Sequence, residues 1–288
     1  MESGSSMRHN TWHISFLLIL LTGSFFLSSC LPERKVAQVF IQSHNAINLL
    51  VFSPDMVYKY NHKGETIPGF DSLKENSQDS ALWANSAYMQ FLSDSLLLET
   101  YMNRFIGELR ALGFNVYLSD AIDSFPLSTP QSYTIDVAQV QLDEYLYPLE
   151  DEEPFEDTLY YKRFDLNAVD FSCWFELSKA NTSKARKTTL YASQTAYDSF
   201  DGQFYFDPWT NKVKYKYQID SLHVKDLYDL AEYLGKKHAG YLYDYFLNQY
   251  IVQNLPPDEE LQYYYHYNRL NKSLTPVDDE MFEVIGTK

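Results

Sequence analysis

The sequence predicts an α+β fold, in which an antiparallel sheet of four to six strands packs two or more helices on one face. The first indication is the order of the predicted elements: a strand, then helices, then four or five strands in series, then a long helix. The second is that apolar and polar residues alternate along the central strands, which is typical of a sheet with one buried face.

One strand and two helices are predicted first. Residues 46–53 form an apolar run of strand length, and residues 79–93 predict a helix. A second helix over residues 98–112 carries an apolar stripe at alternating spacings of four and three residues. Ser95 is the predicted N-cap of this second helix, and Gly113 is its predicted left-handed C-terminal residue.

The strands of the sheet follow. A short strand is predicted over residues 114–118, and a longer one over residues 133–142. The apolar parity of the longer strand shifts near Ala138-Gln139, which predicts a β-bulge there. Residues 169–177 show the clearest alternation of apolar and polar residues in the chain, and residues 188–197 predict a further strand of this kind.

Turns and loops are predicted between these strands. Asp201-Gly202 is a hairpin signal, with residues 204–206 as the return strand and Asp207-Pro208 as the next turn. Residues 212–219 alternate lysine or glutamine with apolar residues, so this strand has one apolar face and one basic face. The acidic insertion at residues 148–157 predicts a solvated loop between two strands.

A long helix over residues 224–252 completes the predicted domain. His238 falls on its apolar stripe and is expected to be a buried histidine with a hydrogen-bond partner. Phe171, Phe175 and Leu109 are expected to be buried between the sheet and a helix.

The C-terminal segment, residues 258–288, is acidic and rich in tyrosine. It predicts either a short helix on the body or a partly disordered arm. Tyr263, Tyr264, Tyr265 and Tyr267 follow one another too closely to share one face of a helix or strand, so some must point away from the body. We expect them to contact a partner protein. The alternative is that the segment wraps the body and completes the core.

Composition restricts the class of partner. The formal net charge of −16 argues against binding to nucleic acid, which requires cationic side chains on the phosphates. The aromatic content of 17% fits either large wet interfaces or a tyrosine-rich sheet. Cys173 lies on an apolar strand face and is expected to be a buried free thiol.

The motifs that mark common enzyme sites are missing from the sequence. It has no glycine-rich phosphate loop, no His-Glu-x-x-His helix, no Cys-x-x-Cys pair and no Gly-x-Ser-x-Gly elbow. Its histidines lack the spacing of metal ligands. We therefore expect no catalytic residues, no metal and no cofactor, and a protein that is not an enzyme.

A loose tripeptide, Asp-Ser/Thr-apolar, recurs along the chain. It resembles the acceptor motif for envelope O-glycosylation in one Gram-negative lineage. Several copies precede predicted helices, where Asp and Ser are ordinary caps. Asp157-Thr158-Leu159 fits a cap least well, so Thr158 is the candidate glycosylation site.

The N-terminal residues have the pattern of a secretory signal. Arg8 and His9 precede an apolar run over residues 14–27, which is too short to cross a bilayer as a permanent helix. The run ends at Leu27-Ser28-Ser29-Cys30, which resembles the bacterial lipobox. The alternatives are an uncleaved anchor, or an ordinary signal followed by a chance cysteine.

The lipobox resemblance implies that residues 1–29 are removed and that Cys30 carries lipid, which holds the protein to a membrane. The residue after Cys30 is Leu31 rather than an aspartate, which favours the outer membrane. Residues 31–35 hold one acid and two bases, which favours the periplasmic face.

Four segments follow from these patterns. Residues 1–29 are the predicted lipoprotein signal peptide, and residues 30–45 a lipid-anchored N-terminal linker. Residues 46–257 are the predicted single α+β domain, followed by the tail at residues 258–288.

The order of elements resembles the lipopolysaccharide-assembly lipoproteins and the auxiliary lipoproteins of lipid-trafficking ABC systems. The matching parts are a strand at residues 49–53, a helix at 98–113 running into Phe114-Asn115-Val116, a meander at 133–217 and a terminal helix at 227–251. The acidic insertion and the tyrosine-rich tail depart from that pattern.

This resemblance implies a non-enzymatic accessory or scaffold subunit of an envelope assembly or transport complex, with an envelope protein as partner. The alternative is a glycan- or lipid-binding lipoprotein that uses an aromatic surface.

Overall fold

The computed structural model describes residues 32–43, 47–181, 187–278 and 281–286. Within these ranges the helices are α1 (Pro32–Gln42), α2 (Glu75–Ala84), α3 (Asp94–Ala111) and α4 (Val224–Asn254). The strands are β1 (Asn48–Phe52), β2 (Tyr58–Asn61), β3 (Asn115–Leu118), β4 (Ser132–Phe155), β5 (Thr158–Lys179), β6 (Thr188–Tyr197), β7 (Ser199–Asp207), β8 (Lys212–Asp220), β9 (Tyr264–Asn268), β10 (Ser273–Val277) and β11 (Glu283–Ile285).

The described residues fall into two compact units. The larger contains residues 47–245 and 281–286, and the smaller contains residues 32–43 and 246–278. The boundary runs through α4, whose last nine residues belong to the smaller unit.

The larger unit is built on a seven-stranded mixed sheet in the order β11-β6-β5-β4-β1-β3, with β2 also paired to β4. β4, β5 and β6 are antiparallel neighbours, as predicted, and β11 from the C-terminal segment adds to them antiparallel to β6. However, β1 is parallel to both β3 and β4, and β2 is parallel to β4. The chain is therefore a mixed α/β protein. The prediction of a purely antiparallel sheet is wrong, and the helices do not form a clear layer on one face of the sheet.

The cause of this error is identifiable. Alternation of apolar residues shows which side of a strand is buried but not the direction of its neighbours. The chain runs from β1 through α3 to β3, and a parallel pair requires such a crossover. The elements predicted for the start of the chain, a strand followed by helices and then a second strand, already contain such a crossover.

Several local predictions are confirmed. The register of β4 against β5 shifts between Val137 and Gln139, where the bulge was expected. Gly113 has a φ of 99° at the end of α3. Helix α4 covers the predicted long helix, whereas α2 starts earlier and is shorter than expected. The N-cap of α3 is Ser93 and not Ser95, because its side chain accepts a hydrogen bond from the backbone N of Leu96.

The predicted Asp201-Gly202 turn is wrong, because both residues lie inside β7 and the chain turns after Asp207. Gly202 lies close to aromatic side chains: a Cβ there would meet the Tyr215 hydroxyl and the Phe200 ring, which would have to shift. The predicted loop at residues 148–157 is also wrong. β4 and β5 pair from Tyr133–Lys179 to Phe155–Thr158, and the ladder is unbroken beyond the bulge near Gln139. A charge run is compatible with a strand when one of its faces is open to solvent.

The core of the larger unit lies between α3 and β5. Tyr101 and Phe105 of α3 contact Phe171 and Phe175 of β5, with ring centroids 5.8 Å apart in each pair. Phe171, Phe175 and Leu109 are all buried, which confirms the predicted core.

The smaller unit contains α1, the end of α4 and the β9–β10 hairpin. The segment predicted as a linker therefore contains a helix, and the tail forms strands rather than a helix or an arm. The carboxylate of Glu33 on α1 accepts hydrogen bonds from the Tyr265 hydroxyl (2.7 Å) and from the backbone N of Gln262 (2.5 Å). Asn248 bonds to both the N–H and the C=O of Tyr265, each at 2.8 Å.

Candidate interaction surface

A two-stranded ribbon extends from the sheet of the larger unit. Pairing of β2 with β4 ends at Glu144, and pairing of β6 with β5 ends at Ala168. Beyond these points, residues 146–155 and 158–167 pair with each other as a hairpin. We call these residues the distal ribbon. Its turn lies at Glu156, which has a φ of 53°.

The β7–β8 hairpin covers one face of the distal ribbon. The Phe164 ring lies 4.8 Å from the rings of both Phe200 and Tyr217. The Tyr215 hydroxyl donates to Oδ2 of Asp151 at 2.6 Å. The pKa of Tyr215 is raised well above its usual value, first by burial and then by this bond. The covered face is therefore an aromatic layer with one partly buried polar anchor.

The opposite face of the distal ribbon is open to solvent. Residues that pair directly across an antiparallel ladder share a face, and this rule assigns eight residues to the open face. These are Pro148, Glu150, Glu152, Pro154, Leu159, Tyr161, Arg163 and Asp165, and all are exposed. We call this set the outer face of the ribbon.

The outer face combines apolar area with negative charge. Leu159 is 62% exposed and Tyr161 is 50% exposed. The Tyr161 hydroxyl donates to Glu150 at 2.8 Å, and this bond raises the pKa of the tyrosine. The guanidinium of Arg163 lies within 4.0 Å of Glu150 and within 3.6 Å of Asp165. A large exposed apolar pair rimmed by charged groups is typical of an interaction site.

The free edge of β4 in the ribbon is protected against pairing with another strand. Pro148 and Pro154 each lack the backbone N–H that a further strand would need. Binding through the outer face would therefore use side chains rather than added β-pairing.

The lysine-bearing strand has the two faces that the sequence predicts. Lys212, Lys214 and Lys216 lie on the face of β8 opposite the one that carries Tyr215 and Tyr217. Lys214 pairs with Asp207. Trp209, at the turn of this hairpin, is 95% exposed.

The structure places the predicted site residues in different surroundings. Tyr265 is fully buried, so it is not part of an exposed patch, whereas Tyr263 is exposed and Tyr264 and Tyr267 are partly buried. Thr158 is exposed at the start of β5, beside the turn of the distal ribbon. Cys30 lies outside the described residues.

Three side chains of types that often act in catalysis lie together in the core of the larger unit. Tyr101 and His238 are hydrogen-bonded at 2.8 Å, and both are buried together with Cys173. Burial lowers the pKa of His238 to about 3, with Lys237 adding to the effect. Burial also raises the pKa of Cys173 to about 12. A hydrogen bond with Tyr101 acts in the opposite direction but is the smaller effect. The thiol is neutral at neutral pH, so it is not an activated nucleophile.

A buried ion pair was missed by the sequence analysis. Glu144 is fully buried and pairs with Lys63, and it also accepts hydrogen bonds from the Ser86 hydroxyl (2.5 Å) and the backbone N of Ala87 (2.8 Å). The alternation along the strand indicates this burial, because Glu144 follows Val140 and Leu142 at two-residue steps on the buried side of β4. These partners hold the loop after α2 against the sheet.

Two further properties concern the described part of the chain. It contains no group of three or more His, Cys, Asp or Glu side chains placed to hold a metal ion. Among its helices, none is both long and apolar enough to span a membrane. No protein-family model, curated protein or solved structure matches the chain.

Proposed function

We propose that this protein is a non-enzymatic lipoprotein, held by lipid on Cys30 to the periplasmic face of the outer membrane. In this proposal it is an accessory or scaffold subunit of an envelope assembly or transport complex. The observation that carries the proposal is the outer face of the distal ribbon, which is exposed over eight residues and presents Leu159 and Tyr161.

The chemistry of the outer face indicates the chemistry of the partner. Leu159 and Tyr161 would enter an apolar recess, and Tyr is frequent among residues that dominate binding energy. Glu150, Glu152 and Asp165 outnumber the single cation, Arg163. A protein with lysine or arginine around an apolar recess matches this surface, because complementary charge sets orientation and association rate.

The smaller unit supports attachment close to the membrane. Helix α1 begins at Pro32, two residues after Cys30. Glu33 on this helix is fixed by Tyr265 and Gln262, so lipid on Cys30 would be joined to a folded helix by a very short segment. The smaller unit would then lie at the bilayer surface.

Metabolic labelling with a fatty acid tests the anchor. The wild-type protein should take up label and fractionate with the outer membrane, because lipid chains on Cys30 make attachment stable. Cys30→Ala should lose the label and either remain an unprocessed precursor or appear in the soluble periplasm. Label on the Cys30→Ala protein would overturn the lipobox interpretation.

Affinity purification from mild detergent tests the partner surface. The wild-type protein should co-purify an envelope protein, and Tyr161→Ala or the double variant Glu150→Lys/Glu152→Lys should lose it. Tyr233→Ala is the matched control, because Tyr233 on α4 is 55% exposed. Equal recovery of the partner with all variants would contradict the assignment of the outer face.

One observation favours the glycan-binding alternative. Tyr147 and Tyr197 are both exposed, and their rings are stacked with centroids 5.5 Å apart. Exposed aromatic faces of this kind suit the apolar faces of sugars. Binding of envelope glycans that is lost in Tyr197→Ala and kept in Tyr161→Ala would support this alternative.

Two smaller assignments belong to the same proposal. Thr158 is exposed beside the turn of the ribbon and would be reachable by an O-glycosylation enzyme. Mass spectrometry of the purified protein would detect a glycan there, and it should disappear in Thr158→Val. Tyr263 is the exposed tail tyrosine through which a partner contact would operate, with Tyr264 and Tyr267 beside it.

A further inference from the structure

The turn of the β7–β8 hairpin presents one aromatic side chain to solvent. Trp209 is 95% exposed, although it is the largest side chain in the hairpin. The turn beneath it is ordered by Asp207, whose carboxylate accepts hydrogen bonds from the backbone N of Trp209 (2.9 Å) and the hydroxyl of Thr210 (2.8 Å). Lys214 pairs with the same carboxylate.

The strands next to this turn also carry exposed aromatic area. Phe206 and Tyr205 are exposed at the end of β7. They point to opposite faces of the hairpin, so apolar surface surrounds the turn on both sides. We call residues 205–216 the hairpin tip. The hairpin is held to the distal ribbon by the aromatic layer, in which the Phe204 ring lies 6.1 Å from that of Tyr160.

The charge of the hairpin tip is opposite to that of the protein. Residues 205–216 hold three lysines and one aspartate, whereas the full chain has a net charge of −16. Lys212 and Lys216 are exposed on the same face of β8. A local positive patch with an exposed tryptophan is suited to an anionic surface that also offers an apolar layer.

From this combination we propose that the hairpin tip binds the surface of an anionic phospholipid bilayer. Trp209 enters the region between headgroups and acyl chains, where tryptophan is enriched in membrane proteins. Lys212 and Lys216 contact lipid phosphates. The proposal does not rest on lipidation of Cys30, because the hairpin supplies all the groups that it uses.

Quenching of tryptophan emission by brominated lipids tests the proposal. The full chain is mixed with vesicles of phosphatidylglycerol and phosphatidylcholine brominated near the headgroup end of their acyl chains. The emission contributed by Trp209 is the difference between the wild type and Trp209→Phe. This component should be quenched and shifted to shorter wavelength, whereas the component of Trp83, obtained from Trp83→Phe, should be unchanged.

Two further measurements distinguish the contribution of the lysines from the total attachment of the protein to vesicles. Quenching of Trp209 should weaken in Lys212→Gln/Lys216→Gln, and also in vesicles of phosphatidylcholine alone, because both changes remove attraction between lysine and lipid. Flotation of the vesicles reports total attachment, including any lipid anchor, independently of the hairpin tip. Full flotation with no quenching of Trp209 overturns the proposal, as does quenching that is equal in neutral vesicles. The proposal is also overturned if an acidic protein shifts the emission of Trp209 to shorter wavelength and no vesicle does so.

Discussion

The hydroxyl of Tyr101 and Nδ1 of His238 lie 2.8 Å apart in the core of the larger unit, joining α3 to α4. The rings of Phe171 and Phe175 pack beside this pair, with centroids within 6 Å of one partner or the other. Gly235, one turn before His238, allows α4 to approach the backbone of Tyr101 closely, since a Cβ there would clash with the Tyr101 carbonyl oxygen. The pair therefore fixes the contact between two helices.

The first prediction concerns acid stability. His238 has a pKa of about 3 in the folded protein and an ordinary value of 6.5. Between these values the unfolded chain binds a proton that the folded chain does not, so the free energy of unfolding falls as pH falls. One such group contributes about 1.4 kcal/mol per pH unit. Its stabilising effect is complete above pH 6.5 and is lost progressively toward pH 3.

His238→Gln isolates this effect, because glutamine stays neutral and can still bond to Tyr101. Urea denaturation at a series of pH values should show a shallower decline of stability below pH 6.5 in the variant than in the wild type. Parallel curves for the two proteins would mean that His238 is protonated in the folded state.

The second prediction concerns the core. Phe175 is buried, with its ring 5.8 Å from that of Phe105 and 5.2 Å from that of Phe282. Phe175→Ala should lower the free energy of unfolding by about 3–5 kcal/mol, because it removes a large side chain from a packed site. Phe91→Ala is the matched control, since Phe91 is exposed, and it should change stability by less than about 0.5 kcal/mol. Similar losses in the two variants would contradict the core described here.

The third prediction concerns the tail. Tyr265→Phe removes the hydroxyl that donates to Glu33 and leaves a buried carboxylate with one partner fewer. The expected loss is about 1–3 kcal/mol in chemical denaturation. Tyr263→Phe should have little effect, because Tyr263 is exposed. Deletion of residues 258–288 should lower the melting temperature strongly, since it removes β9, β10 and β11. An unchanged melting temperature would restore the interpretation of the tail as a dispensable arm.

Much of the fold could be predicted from periodicity. The stripe of α3, the length of α4 and the bulge near Gln139 all follow from side-chain spacing, which reflects the buried face of each element directly. The direction of strand pairing could not be read in this way. The parallel pairs of β1 depend on contacts between segments that are far apart in sequence.

The distal ribbon could not be predicted from the sequence for a different reason. Its segment 148–157 contains two prolines and a run of acids, which are features that strands usually lack. These residues are tolerated because the outer face is solvated and the ribbon has free edges. The same chemistry that suggested a loop therefore produces the exposed acidic face, and the pairing of Glu150 with Arg163 across the ladder could not be anticipated from spacing.

Site-specific photocrosslinking in cells shows whether the outer face of the ribbon contacts a partner protein. A photoreactive amino acid is placed at Tyr161 on the outer face of the ribbon and, as the matched control, at Tyr233 on α4. Irradiation should join the protein to a specific envelope protein from position 161 and not from position 233. The double variant Glu150→Lys/Glu152→Lys should abolish this product. No product from position 161, or the same products from both positions, would contradict the claim that the protein binds its partner through the outer face of the ribbon.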